Sequence, residues 1–165
     1  MHIRHFLLAL ALAALSVSAF AEDKEITVSS GGKAGIKLSV PSDAKVTTKG
    51  EKTSIEAKKL WIYVWHVPSA KTVADAVPHV ADLIKSEFTG FTLADTKPLT
   101  VAGHPAKHLF GKGAEADDGD PGSAEVVVFT DGKAVFAACV HGEKDEAAKE
   151  RPDLLKLLKS AKAAE

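Results

Sequence analysis

The chain has 165 residues, 45% of them apolar, with 21 Lys and Arg against 22 Asp and Glu and a single cysteine. That near balance of charge excludes the clustered basic excess a nucleic-acid binder carries. One cysteine excludes an intramolecular disulfide, so the fold must rest on packing alone.

The first segment, MHIRHFLLALALAALSVSAFAEDKE, has a basic start at Arg4 and an apolar run from Phe6 to Val17. Ala19-Phe20-Ala21 then gives the small-x-small pattern a signal peptidase accepts. The run is too short to span a bilayer comfortably, and charged residues follow at once, which disfavours a retained anchor. No cysteine near the cleavage point offers a lipid attachment site. The reading is a cleaved signal over residues 1–21 and a periplasmic or secreted protein starting near Glu22, with no membrane span after cleavage. Removal of that segment leaves 144 of the 165 residues and 20 basic against 22 acidic ones, a net charge of about −2. That length suits one domain with a real core.

The mature chain begins as strands. Ile26–Ser30 and Ile36–Val40 flank the turn-rich Ser30-Gly31-Gly32-Lys33-Ala34-Gly35, and Pro41 closes the second. Short segments at Lys45–Thr48 and Ser54–Lys58 lead to LWIYVWHV at residues 60–67. Alternation puts Leu60, Ile62 and Val64 on one face and Trp61, Tyr63 and Trp65 on the other. Both faces are apolar. The aromatic row is therefore either a ligand platform or one side of a sheet covered on both faces. Pro68 ends the strand.

A helix follows, capped by Thr72 with Asp75 in its first turn. Val73, Val77, Val80, Ile84 and Phe88 form its apolar stripe, Pro78 predicts a kink or restart, and Gly90 predicts the stop. Strands return at Phe91–Thr96 and Leu99–Ala102, turn at Gly103-His104-Pro105, and continue in Ala106–Phe110. Ser123–Thr130 and Lys133–Val140 are joined by Asp131-Gly132, a two-residue hairpin signal pairing Thr130 with Lys133. That puts Val127, Phe129, Ala134, Phe136, Ala138 and Val140 on one face, with Val126, Val128, Val135, Ala137 and Cys139 on the other. Cys139 reads as a small buried apolar residue, with no histidine spaced to activate it. A last helix opens at Pro152 and is lined by Leu154, Leu155, Leu157, Leu158 and Ala161.

Two stretches apolar on both sides predict an α+β fold: a mostly antiparallel β-sheet sandwiched by helices. On that reading Trp61, Tyr63 and Trp65 are core or rim residues, and the ligand platform is the alternative. IKLSVPSDAKV, LWIYVWHVP, TVADAVPHVADLIKSEF, LTVAGHPAKHLFGKG and LLKLLKSAK follow one another in an order that resembles the PsbP/Mog-type family, including its small exported bacterial members of unknown function. The hairpin motif is Leu99, Gly103, Pro105 and Ala106, and the small-residue motif near the end is Ser160-Ala161-Lys162. The chain departs from the family at Ala44, where relatives often have Trp. The resemblance implies an α/β/α sandwich and an accessory binding or assembly role, and it carries over no catalytic residue.

Five histidines lie beyond residue 21. His104 and His108 have helical ligand spacing, but Gly103 and Pro105 argue for a strand, where the two sit about 13 Å apart and cannot share an ion. His66, His79 and His141 reside on other elements, so surface or hydrogen-bonded histidines are expected instead of a metal site. The acidic loop Gly113–Gly122 fails the calcium-loop pattern, because Gly122 and Phe129 occupy positions 5 and 12 counted from Asp118. Gly111-Lys112-Gly113-Ala114-Glu115-Ala116 spells G-x-G-x-x-A, yet no helix follows to align amides on a phosphate. No G-x-S-x-G, C-x-x-C or H-E-x-x-H occurs.

The sequence thus points to a non-catalytic binding or cell-envelope accessory protein, expected to be monomeric and without a cofactor. Its partner would be a protein or small ligand of the envelope. The alternative is a periplasmic metal- or small-ligand-binding protein, and a hydrolase ranks third with no nucleophile to name. The candidate ligand surface is Trp61, Tyr63, Trp65, His66, His104 and His108. Mass spectrometry of protein from its native host should find the mature start at or near Glu22. An intact Met1 on the soluble form would overturn the export reading.

Overall fold

The computed structural model describes residues 23–57, 60–95, 98–116 and 119–164. The signal segment 1–21, the start at Glu22, the strand ends at Lys58 and Thr96, and Asp117 and Asp118 of the acidic loop lie outside the described residues.

The chain opens with the hairpin β1 (Asp23–Ser30) and β2 (Lys33–Pro41), followed by β3 (Lys45–Lys49), β4 (Lys52–Ala57) and β5 (Leu60–His66). Helix α1 (Val73–Ser86) leads to β6 (Phe88–Asp95), β7 (Leu99–Val101), β8 (His104–Glu115), β9 (Pro121–Thr130) and β10 (Val135–Glu143). Helix α2 (Glu146–Lys159) and the short β11 (Lys162–Ala163) complete it. The strands pair antiparallel throughout, in a large sheet ordered β3-β4-β5-β10-β9-β8-β6, with β7 on β8, and a small sheet β1-β2-β11. The class is α+β, mostly antiparallel sheet with two helices.

The hairpin β9–β10 carries the centre of the core, and its two faces sort as the alternation predicts. Val127, Phe129, Phe136, Ala138 and Val140 pack with Leu154 and Leu158 of α2 and with Val28, Ile36 and Leu38 of the small sheet. Val126, Val128, Val135, Ala137 and Cys139 pack under Ala76, Val80 and Ile84 of α1. The register differs from the sequence reading: Thr130 faces Val135, not Lys133. Asp131 makes a wider loop, its carboxylate accepting from the amides of Lys133 at 2.8 Å and Ala134 at 2.7 Å. A slip of two residues preserves the faces, since side chains alternate with period two. The small sheet crosses close above this hairpin. A Cβ on Gly35 would stand 2.8 Å from the Phe136 ring, so glycine is required there.

Both helices correct the sequence boundaries. Thr72 and Asp75 form a reciprocal cap, the Asp75 amide donating to Thr72 Oγ1 at 3.2 Å and the Thr72 amide to Asp75 Oδ2 at 3.0 Å. The helix then runs through Pro78 without restarting and ends at Ser86. Phe88 belongs to β6, and Gly90 is not the helix stop: with φ +67° it sits in a bulge between Thr89 and Thr92. On a regular strand Phe88 and Phe91 would face opposite ways. The bulge brings both into the α1 core, their rings stacked 4.6 Å apart. Helix α2 begins at Glu146, so Pro152 lies inside it instead of opening it.

The early start of α2 carries Arg151 to the sheet. Glu125, on the central strand β9, is fully buried. Its Oε1 accepts from Arg151 Nε at 2.7 Å and from a second guanidinium nitrogen, while Oε2 lies 2.5 Å from His108 Nε2. Phe110, directly opposite Glu125 on β8, carries the same guanidinium 5.5 Å above its ring. Arg151→Ala would leave Oε1 of a buried carboxylate without its donors, with only His108 on Oε2, and should cost about 3 kcal/mol in urea melts. Adding Glu125→Gln should recover part of that loss, because a neutral amide needs no counter-charge. A stable Arg151→Ala protein would contradict this account.

Candidate functional site

The aromatic row of β5 runs from the rim of the core, where Trp65 packs against the α1 cluster, out to solvent at Trp61. Trp61 is 46% exposed, and Tyr63 and Trp65 are half-buried. Of the core and rim positions expected for the row, Trp61 takes a rim position, and the reason is coverage. Strand β5 pairs Tyr63 with Cys139 and Trp65 with Ala137, so the row shares the sheet face on which α1 packs. Helix α1 lies over β6, β8, β9 and β10 and reaches β5 only at Trp65, leaving β3, β4 and the Trp61 end of β5 open on that face.

The bare face forms an open groove in two adjoining parts. One, of 360 Å³, is lined by Trp61 and Tyr63 with Lys45, Thr47, Lys49, Lys52, Ser54 and Glu56. The other, of 440 Å³, runs under the α1 flank between Leu83, Ile84 and Glu87 and the strand residues Tyr63, Trp65, Cys139 and His141. Lys49, Lys52 and Tyr63 line both parts. Strand register explains the lining: Glu56, Ser54 and Lys52 of β4 stand directly beside Trp61, Tyr63 and Trp65. Lys45, Thr47 and Lys49 of β3 stand beside Glu56, Ser54 and Lys52 in turn.

The charges in this groove are unevenly met. Lys45 reaches Glu56 at 3.9 Å. Lys49 and Lys52 are cross-strand partners of like charge, and among the described residues no carboxylate pairs with either. The Lys52 ammonium instead rests 4.1 Å above the Tyr63 ring, a contact worth about 0.5–1 kcal/mol at an exposed site. On its other side Tyr63 stacks with His141 at 5.5 Å, and Phe88 meets that imidazole edge-on at 6.3 Å. His141 is solvent-exposed as a residue, yet these flanking rings desolvate its imidazole and lower its pKa; Glu87 opposes the shift and Lys52 adds to it. Burial pushes the Cys139 thiol up to about 12, so the groove floor presents a protonated sulfur at neutral pH.

Of the six candidate residues, the structure brings Trp61, Tyr63 and Trp65 together and separates the histidines from them. His66 lies with Ile62 and Val64 on the opposite sheet face, its Nδ1 3.1 Å from Glu51 Oε2 and its ring 5.8 Å from Phe136. His108 is buried against Glu125. His104 sits near the β9–β10 loop, its ring 3.1 Å from where a Cβ on Gly132 would be. Among the described residues no three His, Cys, Asp or Glu groups converge for a metal ion. The G-x-G-x-x-A stretch is β8 strand through Glu115, and Pro121 and Gly122 of the acidic loop open β9. Lys49, Lys52, Leu83 and His141 were missed in the sequence. Lys52, directly beside Trp65 once β4 and β5 are paired, was the available signal.

The sequence matches no known family profile and no curated protein. Among solved structures, a Pseudomonas aeruginosa protein of unknown function aligns with TM-score 0.48 at 13% identity, over 84% of this chain and 95% of its own. LpqN of Mycobacterium tuberculosis, involved in cell envelope biogenesis, aligns with TM-score 0.50 at 15% identity, over 87% of this chain and 91% of its own. At such identity the likeness to LpqN concerns the fold. No helix among the described residues is long and apolar enough to cross a membrane.

The geometry separates the two tryptophans. With Trp65→Phe the remaining Trp61 should emit to the red and be readily quenched by acrylamide, whereas with Trp61→Phe the remaining Trp65 should be bluer and better shielded. Lys52→Gln should raise the His141 pKa in an NMR titration, since it removes one of the charges that lower it. Equal shielding of both indoles would put the groove in doubt.

Proposed function

We propose that this chain is an exported, non-catalytic binding protein of the cell envelope, with a PsbP/Mog-type sandwich, and that it holds its ligand in the groove along β5. The observation that carries the reading is an aromatic row left bare beside a lysine pair without counter-charge. Exposed indole and an unneutralised like-charge pair each raise the free energy of the empty protein, and a ligand covering both relieves them. The envelope role of LpqN is compatible with this reading at the level of fold, as are the signal pattern of residues 1–21 and helices packed on opposite sheet faces. The non-catalytic part rests on the lining itself. It offers stacking, hydroxyls and charge, its one thiol is held protonated, and its imidazole, His141, is stacked on Tyr63 with no nucleophile bonded to it among the described residues.

The small-ligand alternative meets this reading in the same groove. The metal alternative draws no support from the histidines, since His66, His104 and His108 share no site. Retention of envelope-extract components by immobilised protein tests the proposal. Trp61→Ala with Lys52→Gln should cut groove-dependent retention about tenfold or more, a loss near 1.4 kcal/mol, in a protein that still unfolds in one cooperative transition. Equal retention by the variant and the parent protein would remove the groove from the function.

A further inference from the structure

We infer that the groove is built for an acidic oligosaccharide with charges spaced more widely than one per ring. The inference rests on the reading that this groove is the ligand site, and it names the chemistry that fits.

The lining alternates in a way that selects among ligands. Trp61, Tyr63 and Trp65 occupy every second position of β5, so their rings recur about every 6.6 Å over a row about 13 Å long. Each has a polar side chain directly beside it, in the order Glu56, Ser54 and Lys52. A hydrocarbon ligand would cover those groups without pairing them, which is costly. A compact planar acid would be enclosed in a closed pocket, whereas here the row is open and Trp61 stays nearly half exposed at its far end. A pyranose ring has a C–H face for an indole and hydroxyl edges for Ser54, Glu56 and Lys52. Successive rings along a chain present that pattern repeatedly.

The charges fix where the acid lies. Lys45 is engaged by Glu56 at 3.9 Å, so the Trp61 end is locally neutral. The Lys49–Lys52 pair lacks a carboxylate among the described residues, and an anion there would gain charge-assisted hydrogen bonds and relieve the repulsion. One unneutralised pair serves about one acidic group. A polyanion with a charge on every unit would meet Glu56 at the Trp61 end, and beside the lysine pair it would bring Glu51 and Glu87 more negative charge than that pair offsets. Those carboxylates disfavour single-stranded nucleic acid, although it too uses aromatic rows in basic grooves.

Calorimetry with the purified protein tests this, using a hyaluronan tetrasaccharide, which alternates acidic and neutral rings, against neutral chitotetraose. Oligothymidylate and tetraglutamate of similar length are the rival probes. The acidic tetrasaccharide should bind about tenfold or more tightly than each of the others. Lys49→Gln with Lys52→Gln should erase its advantage over chitotetraose, and Trp61→Ala should weaken both sugars. A second measurement needs no variant: raising salt from about 50 to 500 mM should weaken the acidic sugar and leave chitotetraose unaffected. Equal affinity for acidic and neutral sugar, preference for either rival probe, or no binding by any of them would each overturn the inference. Groove-dependent retention of envelope material can still hold in those cases, so failure here is distinguishable from failure of the proposed function.

Discussion

A carboxylate with no solvent exposure stands in the middle of the large sheet, and the way it is neutralised organises the molecule around it. A carboxyl group buried at Glu125 needs hydrogen-bond partners on both oxygens. His108 meets one oxygen from the neighbouring strand, and Arg151 donates to the other from α2. The second requirement sets where α2 must run. To bring Arg151 over β9 the helix has to begin well before Pro152, and its docking then closes Leu154 and Leu158 onto the same sheet face. Asp145, at its N-terminus, makes no side-chain cap and is drawn to Lys112 of β8, whose hydrogen bond holds its carboxyl below the usual range. Charge thus fixes the register of a helix whose apolar residues alone would allow several.

With one face of the sheet closed by α2 and the small sheet, α1 alone is left to cover the other. The strand order β3-β4-β5-β10-β9-β8-β6 places seven strands side by side, about 29 Å across at ordinary strand spacing. A helix is about 10–12 Å wide, so a single one leaves much of that face open. Phe88 and Phe91, both turned inward by the bulge at Gly90, draw α1 toward the β6 side. The bare ground is consequently at β3–β5, where the aromatic row happens to point. The groove is therefore a consequence of unequal layering, with a sheet floor and the flank of α1 as one wall.

Alternation made much of this fold legible in the sequence, and it also set the limit. The two faces of β9 and β10 were readable because period two survives a register slip of two residues, while the slip itself depended on how the Asp131 side chain closes the loop. Thr72 and Asp75 announced the start of α1 through local chemistry, and local chemistry was enough. Gly90 and Pro152 misled because each was read by its commonest local role, whereas tertiary contacts of Phe91 and Arg151 decide both. The row in LWIYVWHV has the same pattern as a doubly buried strand such as Val126–Phe129. Period two tells which residues share a face but cannot tell whether a second layer reaches it. Glu125 was hidden for the opposite reason: one acid in an apolar strand shows nothing of the partner 26 positions away.

Lysines on β3 have a reading that needs no ligand, because exposed edge strands commonly carry them to discourage pairing with another chain. That account serves Lys45 and Lys49, which lie on the outermost strand of the large sheet. It does not reach Lys52, whose strand β4 is paired on both sides and has no edge to protect. Nor does it explain why Lys52 faces a cation of the same sign across the ladder when Glu56, at the other end of the same strand, shows that an acid fits this face. Stability alone would favour an acid opposite Lys49. The sheet instead keeps two ammonium groups beside an aromatic ring on ground that no helix covers, and that combination is what an anionic, ring-bearing ligand would use.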